Sequence, residues 1–133
     1  MVFNMADGVP QGGGQRMEQY LSVILCRKRP HRYQQRTRWN VRDSNATLII
    51  SLSSELTGGS LATQEWANKM NRPCLHVYPR SEWRSWLRTF IETHPIRVLN
   101  VAGPRFSSAP NIKQFVGEVL DEISTYCDRR NRL

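Results

Sequence analysis

Thr57-Gly58-Gly59-Ser60 stands just after an apolar run, Ala46 to Leu52 (ATLIISL), and opens a stretch with helical spacing. That order of parts suits an anion. Strand, glycine turn and helix start leave backbone N–H groups unpaired and aim the positive end of the helix dipole beyond the strand's carboxyl end. Two adjacent glycines also let an anion approach the main chain with no Cβ in the way. A second stretch offers similar parts: Asn100-Val101-Ala102-Gly103-Pro104-Arg105 ends a strand on a small residue and a glycine, then supplies a cation and two hydroxyls, Ser107 and Ser108. Either loop alone is compatible with a plain connection. Two anion-ready strand ends in one sheet favour binding of a phosphate.

Other candidates carry less. Arg42, Asp43 and Ser44 immediately precede the first strong strand, hence lie at the sheet's opposite end unless the chain folds back. A binding role and a structural one, as an ion pair or a cap, both stay open for them. Glu65 falls one and a half turns into its helix, where it could reach a ribose or a leaving group or simply face solvent. His76 sits inside an apolar strand and reads as a satisfied core imidazole rather than a base, while spacing gives His31 and His94 no partner. There is no Ser-His-Asp order, no HExxH and no GxxxxGK[ST], so serine hydrolase, zinc protease and Walker-type ATPase chemistry lack support. Cys26, Cys74 and Cys127 are widely separated, with no CxxC pair and no histidine at ligand spacing, so neither structural zinc nor any bare metal site is expected.

The elements that must position these residues follow from periodicity. Ala46–Leu52 has the near-continuous β-branched pattern of a parallel strand buried on both faces. The spacing predicts a helix over Ser60–Met70, capped by Ser60 and burying Ala62, Trp66 and Met70. Pro73–Tyr78 (PCLHVY) reads as a strand, Ser81–Thr93 as a helix burying Trp83, Trp86, Leu87, Phe90 and Ile91, and Ile96–Ala102 as a third strand. The Trp83/Trp86/Phe90 stripe has the spacing of a buried helix face rather than of a base-stacking platform. Ile112, Phe115, Val116, Val119, Leu120, Ile123 and Cys127 trace one face of a final helix, with Pro110 near its first turn. Before this block, Ser22–Cys26 suggests a short strand, Tyr33–Val41 a short covering helix, and Met1–Gln15 an aperiodic segment adding little core. Strands alternating with helices specify an α/β sandwich with a mainly parallel sheet. Its ligand loops would be Ser53–Ser60, Pro79–Ser81 and Gly103–Pro110, all at one end.

The 133 residues fit one domain, organised as an irregular segment 1–31, a Rossmann-like body 32–127 and a basic tail 128–133. The formal net charge of +8 is unevenly placed. Arg27, Lys28, Arg29, Arg32, Arg36, Arg38 and Arg42 put seven positive charges within sixteen residues, and the rest of the chain is close to balanced. Such a block could contact nucleic acid, but a solvated basic segment is the commoner meaning. The opening residues hold Asp7 and four glycines and no apolar leader core, and no run approaches a membrane span, so a soluble cytoplasmic protein with reduced thiols is expected.

Taken together, RYQQRTRWNVRDSNATLIISL (Arg32–Leu52), ELTGGSLATQEWA (Glu55–Ala67), RPCLHVY (Arg72–Tyr78) and IRVLNVAGPRFSSAPNI (Ile96–Ile112) resemble the "putative molybdenum carrier" family, a circularly permuted branch of the SLOG superfamily related to LOG-type and lysine-decarboxylase-like proteins. The resemblance runs from Arg32 to about Tyr126. It implies a Rossmann-like fold holding a phosphorylated ligand, a nucleotide or a molybdopterin-type cofactor, at the glycine loops. Thr57, Gly58, Gly59 and Ser60 match the family's TGG-[TS] loop, and Gly103, Pro104, Arg105 and Ser107 its AGPR-x-S loop. Asn100, Arg42, Asp43 and Ser44 fall in the NVAGPR and WNVRDS elements as further possible contacts.

Glu65 stands where the LOG-type PGGxGTxxE pattern has its glutamate, but Leu61 and Ala62 replace that pattern's Gly-Thr. Upstream, only Gly8-Val9-Pro10-Gln11-Gly12-Gly13 matches the family's GIPxGGW-type segment, so a first βα unit is expected to be missing or altered. The leading expectation is a non-catalytic binder of a phosphorylated small molecule, with a homo-oligomer left open. The alternatives are a nucleotide N-glycosidic hydrolase using Glu65 and a nucleic-acid binder using Arg27–Arg42.

Overall fold

A computed structural model describes residues 2–4, 37–104 and 111–131. In chain order the elements are β1 (Val2–Asn4), β2 (Ala46–Ile50), α1 (Gly58–Lys69), β3 (Cys74–Val77), α2 (Trp83–Thr93), β4 (Val98–Ala102) and α3 (Ile112–Asn131). Residues 37–42 are also helical. The strands lie in the order β1-β4-β2-β3. Parallel pairing joins β2 to both β3 and β4, and β1 runs antiparallel to β4. The fold is therefore the expected α/β class with a mainly parallel, Rossmann-like sheet.

The β-branched run at β2 sits at the centre because both of its faces are covered, and all five of its residues are buried. Leu48 and Ile50, with Leu99 and Val101 of β4, look toward α2 and α3. Those helices close that face with Trp83, Leu87, Phe90 and Ile91 from α2 and all seven anticipated residues of α3, Ile112 through Cys127. Trp83 meets Phe115 edge to face, ring centroids 5.4 Å apart, the arrangement aromatic quadrupoles prefer.

Asn45 fixes how β4 enters the sheet. Its Oδ1 accepts hydrogen bonds from the Arg97 and Val98 N–H groups at 2.9 and 2.8 Å, while its own N–H donates to the Val98 carbonyl at 2.9 Å.

Three expectations need correction. Ser60 does not cap α1. The helix starts two residues earlier, Thr57 is the residue at its N-cap, and Thr57 makes no side-chain capping bond. Gly58 carries the chain into the helix with a φ of 57°, a left-handed value that glycine adopts without a Cβ clash. The buried face of α1 is also not Ala62, Trp66 and Met70; it is Ser60, Thr63 and Ala67. Small and polar side chains let the helix sit close to the sheet, whereas Trp66 is only half-buried, with the Arg38 guanidinium 5.2 Å and the Lys69 ammonium 5.1 Å from its ring centroid. Finally, the opening segment is not wholly irregular, since Val2–Asn4 pairs with β4 through the register Val2↔Asn100, Phe3↔Leu99 and Asn4↔Val98. The edge of β4 facing away from β2 offers backbone donors and acceptors, and a Val-Phe pair has the propensity to take them up.

At its far end α1 stops on Asn71, with a φ of 54°, and the Arg72 N–H reaches back to the Ala67 carbonyl at 2.9 Å. The expected strand Ser22–Cys26, residues 33–36 of the expected covering helix, and Pro110 lie outside the described residues. No helix among the described residues is long and apolar enough to cross a membrane.

Candidate functional site

Because β2, β3 and β4 are mutually parallel, the loops that follow them leave the same edge of the sheet. From β2 the chain passes through α1 to β3 on one side, and then through α2 to β4 on the other. The boundary between β2 and β4 is thus the place where strand order reverses, the position at which open α/β sheets offer a crevice. Backbone proximity is extreme there: a Cβ added to Gly103 would lie 3.0 Å from the Ile50 carbonyl oxygen. Any larger residue there would make the strand ends give by a few tenths of an ångström.

On one flank of this boundary stands the first turn of α1. It contains no acidic residue, and a Cβ built at Gly58 would meet no atom within 4 Å. The positive end of the helix is consequently uncompensated by any side chain of its own turn. Thr57 is exposed, Gly59 half-buried and Ser60 buried. Thr63 braces the turn by donating from Oγ1 to the Gly59 carbonyl at 2.8 Å. On the other flank Gly103 and Pro104 are half-buried. Arg105, Ser107 and Ser108 lie outside the described residues. Asn100 is buried below the crevice, its Nδ2 donating to Thr47 Oγ1 at 3.3 Å between β4 and β2.

The remaining candidates lie elsewhere. Arg42, Asp43 and Ser44 precede β2 and so mark the opposite, amino-terminal edge. Arg42 forks onto Asp43, Nε to Oδ1 at 2.8 Å and Nη2 to Oδ2 at 3.2 Å, both side chains being exposed. The pair holds the Asp43 carboxyl below the usual aspartate range. Ser44 is buried and donates to the Val41 carbonyl, closing the helix at 37–42. Glu65 is exposed, about 200° around α1 from buried Thr63 and roughly 9 Å along the axis from Gly59. It therefore faces away from the sheet.

The carboxyl edge also gives the expected satisfied imidazole, His76, a partner that spacing does not reveal. Ser51, directly after β2 and only 7% exposed, places its Oγ 2.8 Å from the Ser53 carbonyl and 2.5 Å from His76 Nε2. A hydroxyl has one proton, and a carbonyl can only accept. Ser51 must therefore donate to Ser53, which makes His76 Nε2–H the donor to Ser51. The reverse polarity, with histidine withdrawing a proton from serine, is what nucleophilic activation requires. Burial lowers the His76 pKa, favouring the neutral ring. The signal that could have pointed to this pair is Ser51's place as the first polar residue after the apolar run.

Among the described residues no group of three or more His, Cys, Asp or Glu side chains could hold a metal ion. Burial raises the Cys74 thiol to about 11, so it is not a ready thiolate.

A search of curated proteins finds no match. Among solved structures, the chain superposes on the crystal structure at 1.45 Å of a protein named "putative molybdenum carrier protein", from Syntrophus aciditrophicus SB. The TM-score is 0.65 and the identity 38%, over 68% of this chain and 60% of that one, so this chain spans less than two-thirds of its relative's length. The model of the circularly permutated YpsA SLOG family matches residues 9–124, nearly the whole length, and the chain belongs to that family.

Proposed function

We propose that this protein binds a small phosphorylated ligand of the nucleotide or molybdopterin type at the carboxyl edge of its sheet. The backbone N–H groups of Gly58, Gly59 and Ser60 take the phosphate, Thr57 adds a hydroxyl, and Gly103 and Pro104 form the opposite wall. Arg105 and Ser107, next along the second loop, supply a cation and a further donor. The observation that carries this reading is the first turn of α1, free of acid and side-chain cap, beside a strand boundary where Gly103 brings two backbones together. The relative's name supports a molybdenum-linked ligand. In this reading molybdenum would be carried within an organic cofactor whose phosphate suits the first turn of α1.

Binding rather than catalysis is favoured by Glu65 facing away from the sheet and by the proton order of the Ser51–His76 pair. Asn100 and Ser44 act in this proposal as braces of the sheet, and Arg42 and Asp43 as a surface pair.

Calorimetric titration of the full chain with AMP tests the proposal. Gly59→Glu, which places a carboxylate in the first turn, should abolish binding while leaving the circular dichroism spectrum unchanged. Arg105→Ala should weaken binding about tenfold or more, the size of a lost charge-assisted hydrogen bond. Equal affinities across wild type and both variants would overturn the assignment. Native mass spectrometry of gently purified protein gives the ligand class directly if a small molecule accompanies it.

A further inference from the structure

At the carboxyl end of β3, an edge strand one place along from the crevice, three half-buried rings form a chain. His76 and Tyr78 lie two residues apart along the β3 edge, centroids 5.2 Å apart, and Tyr78 meets Trp86 of α2 edge-on at 5.6 Å. Two of the polar handles are occupied. His76 Nε2–H is held by Ser51, and the Tyr78 hydroxyl accepts from Arg80 Nη1 at 3.3 Å. The Arg80 guanidinium also sits 5.8 Å from the Trp86 ring centroid. Trp83 is buried in the core against Phe115, whereas Trp86 packs half-buried at the margin of that core and reaches this edge. The Ser51 N–H bonds the Val77 carbonyl at 3.1 Å, which sets Ser51, the start of the loop leading to Gly58, alongside Tyr78. α1 packs over β2 and β3, so its first turn stands above this same edge.

We propose that the His76–Tyr78–Trp86 ladder is the ring-binding half of the site, selecting a phosphorylated ligand that carries a planar heteroaromatic group over one that is only a sugar phosphate. This rests on the phosphate-binding reading and adds a second, chemically different contact to it. Half-buried rings offer a ligand their apolar faces and edges, and stacking is tolerant of which heterocycle is presented. The Arg80 guanidinium adds a planar cation to the same shelf.

Three probes separate the two halves of the site: AMP, ribose 5-phosphate and adenosine. Wild-type full-length protein should bind AMP about tenfold more tightly than ribose 5-phosphate, within the range a stacked base contributes. Tyr78→Leu should erase that preference and leave ribose 5-phosphate affinity unchanged. Tyr78→Phe, which keeps the ring and loses only the Arg80 hydrogen bond, should retain it. Equal loss for both phosphates in Tyr78→Leu, or no AMP preference in wild type, overturns the ladder's role. Adenosine provides the arm that does not depend on phosphate. Saturation transfer from wild-type protein to its base protons, competed by AMP and lost in Tyr78→Leu, supports the ladder even if ribose 5-phosphate fails to bind, an outcome that would sink only the phosphate reading. Absence of transfer to adenosine in wild type overturns the ladder.

Discussion

The two faces of the sheet are built from different chemistry. One, covered by α2 and α3, presents Leu48, Ile50, Leu99 and Val101 to a continuous apolar cluster. The other, covered by α1, presents Thr47, Ser51, His76 and Asn100, with Ile49 the large aliphatic of β2 on that side, against Ser60, Thr63 and Ala67. The first face can supply most of the hydrophobic stabilisation, since that scales with apolar area removed from water. The second spends its positions on hydrogen bonds that fix strand ends and a helix start. Stability and the candidate site are thus carried on opposite sides of one layer.

The comparison breaks most directly by truncation. Leu48→Ala should cost about 2–5 kcal/mol, read as a shift in urea midpoint, whereas Ile49→Val on the other face should cost only about 0.5–1.5 kcal/mol. Since the two substitutions differ in size, Leu48→Val belongs in the same series. It must still exceed Ile49→Val if the apolar face dominates. Thr47→Val keeps the shape and strips the Asn100 Nδ2 of its acceptor. An unsatisfied buried donor should cost about 1–3 kcal/mol. No loss there would mean the polar face is not organised by its hydrogen bonds. Gly58→Ala places a Cβ in open space but at a left-handed φ, so about 1–2 kcal/mol is expected from backbone strain alone.

The smallest effect concerns pH. His76 has its pKa lowered below the ordinary 6.5 by burial, so the unfolded chain takes up the proton first as pH falls. Its contribution to stability is full above about 6.5 and is lost as pH drops through the lower folded value. Urea melts between pH 7.5 and 5.5 should show that loss in wild type and a shallower one in His76→Gln.

Legibility in the sequence followed the same division. The stripe of α3, from Ile112 to Cys127, is read without error because seven apolar residues at helical spacing admit one buried face. The strands β2 and β4 are equally plain, apart from a residue or two at their ends. α1 was legible as a helix but not in its orientation, because Trp66 outranks Thr63 and Ala67 on any hydrophobic count. Two neighbouring cations make the tryptophan's half-buried position favourable, and only tertiary structure brings Arg38 there. The glycine loop stood out by composition, but its helix start moved from Ser60 to Gly58 because local φ, not side-chain capping, governs the entry. The Ser51–His76 contact spans 25 residues of chain, and Asn45 reaches Arg97 and Val98 across more than 50. Spacing carries no trace of such pairings.

The Asn45 side chain has a mechanical consequence. Side chains alternate along a strand, so a slip of β4 by one residue against β2 would turn Leu99 and Val101 outward and drive Asn100 among the leucines. Asn45 grips two consecutive N–H groups at the mouth of β4 and acts as a ratchet pawl against that slide. A single amide, far from any ligand, thereby keeps Gly103 seated opposite Ile50 at the other extremity of the strand.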